Sequence, residues 1–386
     1  MKKPTEKPQL PKTIAAAYGV ACDSSFGAVS PPLYLSSTYE FSGYDQPRAF
    51  DYGRAGNPTR ALAAEAIAAL EGGAGAVMTS SGLAAIDLLV GRLPVGAKVV
   101  IQNDCYGGTL RLLKAREKLG YIQLIVVDFS DLNALEAAIK KGPSLLFIET
   151  PSNPLMRVFD IAVLSSLAKR YGAKTVVDNT FLSPALQQPL SLGADYVVHS
   201  TTKFLNGHSD VVAGALVALN DEDCQELNDW SNITGAISSP FDSWLTLRGI
   251  RTLFARMEQQ EKNAMTIANH LNNHGSVSKV YYPGLTTHPN HELAKRQQQG
   301  FGAMLSFEHK DGETGVRKLV ETVKTFTLAE SLGGVESLIA HPATMTHADM
   351  GAEARKAAGI SDGLLRLSVG LEHISDLIEG LDAGLS

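Results

Sequence analysis

His199-Ser200-Thr201-Thr202-Lys203-Phe204-Leu205-Asn206-Gly207-His208 is the stretch on which the fold turns. It follows the apolar run Ala194-Asp195-Tyr196-Val197-Val198, which reads as a buried strand. Lys203 stands close behind hydroxyls and just ahead of the turn pair Asn206-Gly207. The usual fate of a lysine is a solvated surface charge. A lysine at the end of a buried strand is better read as an amine placed for Schiff-base chemistry with an aldehyde cofactor. Upstream, Lys174-Thr175-Val176-Val177-Asp178 is a run of β-formers ended by an acid. Asp178 alone fits a turn cap as well. With Lys203 at the next strand end, the pair suggests pyridoxal 5'-phosphate (PLP), whose pyridinium nitrogen takes an acid and whose aldehyde takes a lysine.

Outward from these strands the pattern repeats. The spacing predicts strands over Gly75–Met78, Lys98–Gln102, Ile122–Val127 and Leu145–Glu149, with helices from Thr59, over Ala84–Leu93, around Thr109–Leu119, and over Leu132–Lys140 and Ile161–Tyr171. Strands alternating with helices through short connections make an α/β fold with a mainly parallel sheet covered on both faces. The pattern changes near Asp242. A long helical stretch, Trp244 to His274, leads into strands at 280–282, 304–307 and 364–369 mixed with helices, an α+β arrangement with an antiparallel sheet. The expected organisation is an N-terminal arm (1–58), an α/β cofactor domain (59–250) and a C-terminal α+β domain (251–386). Residues 1–12 read as a flexible tail. Thr13 to Pro58 shows little periodicity yet carries Tyr34, Tyr39, Phe41, Tyr44, Phe50 and Tyr52, so a neighbouring subunit is its expected anchor.

Composition sets bounds. With 44% hydrophobic and 19% charged residues and a formal charge of −6, the chain reads as an ordinary globular protein, with no sign of a nucleic-acid or membrane partner. The N-terminus has no apolar stretch behind its lysines and reads as no secretory signal. Three widely spaced cysteines, Cys22, Cys105 and Cys224, form no metal or disulfide pattern and fit a reducing cytoplasm. No metal site is expected. Gly73-Ala74-Gly75 lacks the third glycine of a nicotinamide fingerprint, because Met78 stands in its place.

Further candidates lie at strand ends. Ser80-Ser81-Gly82-Leu83 joins a strand to a helix and reads either as an ordinary turn or as an anion cradle of free N–H groups. Tyr106 follows the 98–102 strand, placed to stack on a cofactor ring or simply to pack. Asn153, between prolines, reads as a turn residue or a site residue. Arg366, inside the apolar run Leu364–Ser368, needs either a structural ion pair or a ligand carboxylate.

Six motifs together resemble the transsulfuration (Cys/Met metabolism) PLP enzymes of fold type I: Asp51-Tyr52-Gly53-Arg54-Ala55-Gly56-Asn57-Pro58, Glu71-Gly72-Gly73-Ala74, Pro151-Ser152-Asn153-Pro154, Val177-Asp178-Asn179-Thr180, Ser200-Thr201-Thr202-Lys203 and Ala329-Glu330-Ser331-Leu332-Gly333-Gly334. The resemblance covers nearly the whole chain and implies a seven-stranded sheet. It implies that Lys203 holds the PLP aldehyde, that Asp178 meets the ring nitrogen and that Tyr106 stacks on the ring. The phosphate would be held by Gly82, Leu83, Ser200 and Thr202 and, from a neighbouring subunit, by Tyr52 and Arg54. Thr202 departs from the cysteine expected there. Arg366 and Asn153 would bind the substrate α-carboxylate, Glu330 and Ser331 would line the substrate side, and Arg111 would meet a distal carboxylate. Lys203, Tyr106 and Tyr52 are the expected proton-handling groups. The implied reaction is γ-replacement on O-succinyl-L-homoserine, or another O-acyl ester, by L-cysteine, giving L-cystathionine and succinate. Cleavage of cystathionine at Cγ and sulfide-dependent homocysteine formation are the alternatives. The implied assembly is a cytoplasmic homotetramer of dimers that share active sites.

Overall fold

The computed structural model describes residues 9–386, so most of the expected flexible tail lies outside the described residues. Strands β1 (Gly75–Thr79), β2 (Ala97–Gln102), β3 (Ile122–Val127), β4 (Leu145–Glu149), β5 (Lys174–Asp178), β6 (Tyr196–Ser200) and β7 (Gly214–Ala218) form one sheet in the order β1-β7-β6-β5-β4-β2-β3. Neighbours from β6 through β5, β4 and β2 to β3 pair in parallel. Only β7 runs antiparallel, to both β6 and β1. The sheet is therefore mainly parallel with seven strands, as expected, and covered on both faces. Val177, Val197 and Val217 belong to one apolar cluster and Val176, Val198 and Leu216 to another. Val176, Val177 and Val197 are wholly buried, each worth about 1.5–3 kcal/mol.

The turn from β1 into the Gly82–Gly91 helix is set by Ser81, whose Oγ accepts the Ala84 N–H at 3.1 Å. Its tight path is matched by Gly214 at the start of β7, where a Cβ would stand 2.2 Å from the Ser81 carbonyl oxygen. Asn57 caps the Pro58–Glu71 helix by accepting from Thr59 and Arg60, a contribution of about 1 kcal/mol.

The C-terminal strands β8 (Val277–Tyr281), β9 (Met304–His309), β10 (Thr327–Leu328), β11 (Leu338–Ala340) and β12 (Leu364–Ser368) form a second sheet, ordered β10-β11-β12-β9-β8. It is antiparallel except where β10 pairs with β11.

Several elements differ from the sequence reading. Pro11–Ala17 is a helix inside a stretch read as having no element. The segment between β6 and the later helices holds β7 and the Asp221–Thr234 helix, neither of which periodicity had marked. The long helix after Asp242 is two, Pro240–Ile250 and Leu253–Asn272. The chain turns at Arg251-Thr252, where Thr252 N–H and Oγ both return to the Gly249 carbonyl. Among the described residues, no helix is long and apolar enough to cross a membrane.

Candidate active site

The carboxyl ends of β1, β2, β4, β5 and β6 open into one cavity of about 420 Å³, closed from the other side by Glu330–Leu332, in the connection between β10 and β11, and by Arg366 of β12. Asp178 ends β5 and Ser200 ends β6. Lys203 stands three residues later in a turn closed by Lys203 N–H to Ser200 O and Gly207 N–H to Lys203 O at 2.7 Å. Gly207 has a φ of +73°, a conformation glycine takes at little cost. Phe204 and Leu205 are buried in the core and fix the turn from behind.

The amine of Lys203 donates to Ser331 Oγ at 2.6 Å. Burial pulls it down from 10.5 to about 8, the Arg366 guanidinium adds to the fall, and Glu330 opposes it. It therefore yields a proton near neutral pH. Ser331 takes a φ of +85°, a strained setting for a residue with a Cβ. That conformation turns its hydroxyl to Lys203 and its carbonyl to Arg366, whose Nη2 donates to it at 2.9 Å.

Arg366 is 2% exposed. Its Nη1 donates to Asn153 Oδ1 at 2.9 Å and its Nε has no acceptor. Burial lowers it to about 10, so it stays cationic. Among the described residues no carboxylate is hydrogen-bonded to it. The ion-pair reading from the sequence is thus not the arrangement found, and a ligand carboxylate fits the remaining need.

Asp178 accepts the Thr180 N–H at 3.0 Å, and Thr180 Oγ accepts the Ser200 N–H at 3.0 Å, which locks the acid to the lysine strand. Burial pushes the Asp178 carboxyl up, against the Thr180 hydrogen bonds and His199, which draw it down. Glu149 lies opposite Asp178 in the β4–β5 register. It accepts the Tyr106 N–H at 2.7 Å and the Asn153 N–H at 2.9 Å, and is raised well above the usual range by burial and by Asp178. Sequence reasoning did not assign Glu149 a role. Its signal was there: a carboxylate ending a buried strand beside another.

The groups present fit PLP. The Gly82 and Leu83 N–H groups make no hydrogen bond among the described residues, and they open a helix beside Ser200. A Cβ on Gly82 would lie 2.9 Å from the Ser200 Cβ, so the turn has room only for glycine. This is an anion cradle of the kind a phosphate needs. Thr202 lines the same cavity, with its hydroxyl both donating to and accepting from the Ala213 backbone at 3.1 Å. Tyr106 forms another wall, raised by burial, with Arg111 pulling the other way. Lys203, Asp178, Tyr106, Gly82, Leu83, Ser200, Thr202, Asn153, Glu330, Ser331 and Arg366 thus converge on one cavity. Arg111 is not part of its lining. Tyr52 and Arg54 are not either. Arg54 stacks over the Tyr52 ring at 5.6 Å and donates to Asn232 at 2.5 and 2.7 Å.

A mainly parallel seven-stranded sheet, a strand-end lysine with a lowered amine, an acid on the adjoining strand and a glycine-edged anion cradle define a PLP enzyme of fold type I. The chain belongs to the family of Cys/Met metabolism PLP-dependent enzymes, whose model matches residues 12–386. It is 53% identical over 373 residues to cystathionine gamma-synthase of Escherichia coli, covering 96% of this chain and 97% of that one. It is 50% identical over 375 residues to cystathionine beta-lyase of Lactococcus lactis subsp. cremoris, covering 97% and 98%. Cystathionine gamma synthase from Xanthomonas oryzae pv. oryzae, solved in complex with cystathionine, superposes with a TM-score of 0.97 at 56% identity over 98% of both chains.

Proposed function

We propose that the chain catalyses γ-replacement: the thiol of L-cysteine displaces the acyl group from Cγ of O-succinyl-L-homoserine, or another O-acyl-homoserine, giving L-cystathionine and the free acid. The observation that carries this reading is one cavity holding the Lys203 amine between Asp178 on one side and the Arg366–Asn153 pair on the other, with Glu330 at its rim. The 53% identity to a cystathionine gamma-synthase supports it.

When bound, PLP holds the substrate amine and draws electrons from Cα. Lys203 is the residue to hold its aldehyde and Asp178 the partner of its ring nitrogen. Tyr106 covers the ring, and Gly82, Leu83, Ser200 and Thr202 face its phosphate. Arg366 Nη atoms and the Asn153 side chain fix the substrate α-carboxylate. Lys203 Nζ, with an amine near 8, would take the Cα proton, pass it on to the bound cofactor and, neutral again, take a Cβ proton. The electrons left behind expel the acyl carboxylate from Cγ. The cysteine thiolate adds at Cγ, and the same Nζ returns the protons to Cβ and Cα. Every proton taken is given back, and the net change is exchange of a C–O for a C–S bond. Tyr106 and Tyr52 are candidates to assist, and Arg111 to meet the far carboxylate of a succinyl group.

Tyr52 and Arg54 would serve a second copy's phosphate. Support comes from their place outside this chain's cavity and from Phe26, Leu35 and Tyr44, which lie exposed on the same segment. The assembly we infer is a homo-oligomer that shares sites, a tetramer of such dimers, in a reducing cytoplasm. The arm, the α/β unit and the C-terminal α+β unit would divide near residues 58 and 250.

The test is to offer succinyl, acetyl and phosphoryl esters of homoserine to the purified protein with cysteine, with sulfide, and then cystathionine alone. Cystathionine formation exceeding cystathionine cleavage supports the reading. Cleavage to 2-oxobutyrate without synthesis would favour a γ-lyase.

A further inference from the structure

On the far face of the seven-stranded sheet, directly behind the cavity, lies a buried carboxylate–imidazole pair that the reaction above does not use. Glu71 ends the Pro58–Glu71 helix, and His199 stands one residue before Ser200 on β6. Their side chains are 0% and 1% exposed, and Glu71 Oε1 meets His199 Nε2 at 2.7 Å. The same oxygen accepts from Asn179 Nδ2 at 2.8 Å, while Glu71 Oε2 has no partner. A wholly buried carboxylate with a bare oxygen is costly unless its charge is matched close by. The imidazole is the one ionisable group bonded to it.

Side chains alternate across a strand. His199 and Asn179 therefore face the helix layer, and Asp178 and Ser200 face the cofactor cavity. His199 and Asp178 stand on directly paired strands, His199 next to the Val198 that faces Asp178 in register, with their side chains on opposite faces of the sheet. A proton held between Glu71 and His199 puts the positive end of the pair at the sheet and the negative end farther away, on the helix. Asp178 feels the nearer end: His199 draws its carboxyl down against burial. The need is local. Glu149 faces Asp178 from β4, with Asp104 beyond it at the end of β2, and both are buried acids. Like charge on Asp178's own face comes from Glu149, and the cations there are Lys203 and Arg366 of the same cavity.

We propose that the Glu71–His199 pair is a positioning element for the cofactor: from behind the sheet it holds Asp178 as an anion, so that the site selects a ring bearing a protonated nitrogen. This rests on Asp178 being the ring nitrogen's partner.

The test uses the apo-protein and two ligands, PLP and its analogue with C–H in place of the ring nitrogen, measured by equilibrium dialysis. Wild type is expected to prefer PLP by about tenfold or more, the equivalent of one ionisation unit. His199→Gln keeps a donor for Glu71 without the charge, and Glu71→Gln keeps an acceptor without the charge. In both, PLP affinity should fall to within about threefold of the analogue's, while affinity for the analogue holds within about twofold. Equal weakening of both ligands, or no change in either, overturns the proposal. So does failure of both variants to fold, which would make the pair a structural tie. A wild type without preference would instead overturn Asp178 as the ring partner.

Discussion

Replacing Arg366 by alanine tests the substrate half of the site. The guanidinium is held by Asn153 Oδ1 and the Ser331 carbonyl, both at 2.9 Å, and among the described residues no carboxylate is hydrogen-bonded to it. Its work is to offer two charge-assisted N–H bonds to the substrate carboxylate. At about 1.5–3 kcal/mol each, their loss costs roughly 3–6 kcal/mol, or about 10²–10⁴-fold in kcat/KM. Arg366→Lys keeps the charge but not the planar fork, and should fall between. The assay is steady-state synthesis with the homoserine ester varied at saturating cysteine, on protein whose PLP content is first measured by absorbance. A second effect follows from the same charge. Arg366 helps hold the Lys203 amine down near 8, and only a neutral amine attacks an aldehyde. Removing the arginine moves that amine back toward its ordinary 10.5, so PLP uptake by apo-protein at pH 7.5 should slow and the pH of half-maximal uptake should rise. A variant with full PLP content whose kcat/KM falls less than tenfold would refute the assignment of the carboxylate to Arg366.

Lys203→Ala should bind PLP without the absorbance shift of a lysine-held aldehyde and show no turnover; measurable synthesis would remove Lys203 from the proton path. Gly82→Val places a branched side chain where even a Cβ lies 2.9 Å from Ser200, and PLP affinity measured by dialysis should drop by tenfold or more, about 1.4 kcal/mol. Glu330→Tyr replaces a rim charge by an aromatic; the ratio of pyruvate to 2-oxobutyrate formed from cystathionine should rise, and an unchanged ratio would detach Glu330 from the choice of carbon. Gly214→Ala presses a methyl against the Ser81 carbonyl at 2.2 Å and should cost about 1–3 kcal/mol of stability in urea unfolding.

The cavity was readable where chemistry sits at strand ends. Asp178 and Lys203 announced themselves because each closes a short β-rich run with a group that such a run does not need. Arg366 did so because a charge inside Leu364–Ser368 demands a partner. What stayed hidden depends on contacts distant in sequence. Glu149 gains meaning from the Tyr106 and Asn153 N–H groups it accepts, and no spacing reveals that. Strand β7 is short and opens on Gly214-Ala215, and Gly214 looks like a break until the Ser81 carbonyl is seen against it. The turn at Arg251-Thr252 interrupts a helical pattern that continues on both sides with no proline. Tyr52 and Arg54, which the resemblance gave to a neighbouring subunit's phosphate, stand outside this chain's cavity.

The antiparallel β7 has a consequence for how the chain is made. Strand β1, which leads into the phosphate turn, pairs with β7 alone, Gly75 opposite Ala218. During synthesis the first strand of the sheet therefore waits for about 140 further residues, which at ~5–20 residues per second is roughly 7–28 s. Until then its edge groups have no strand to bond, and the turn at Gly82 lacks Gly214 and the strand that joins β1 to β6 beside Ser200. A nascent chain stalled before residue 214 would carry strands β2 to β6 and Lys203 yet have no phosphate grip. A phosphate grip able to load the cofactor is thus expected only after the ribosome has passed β7.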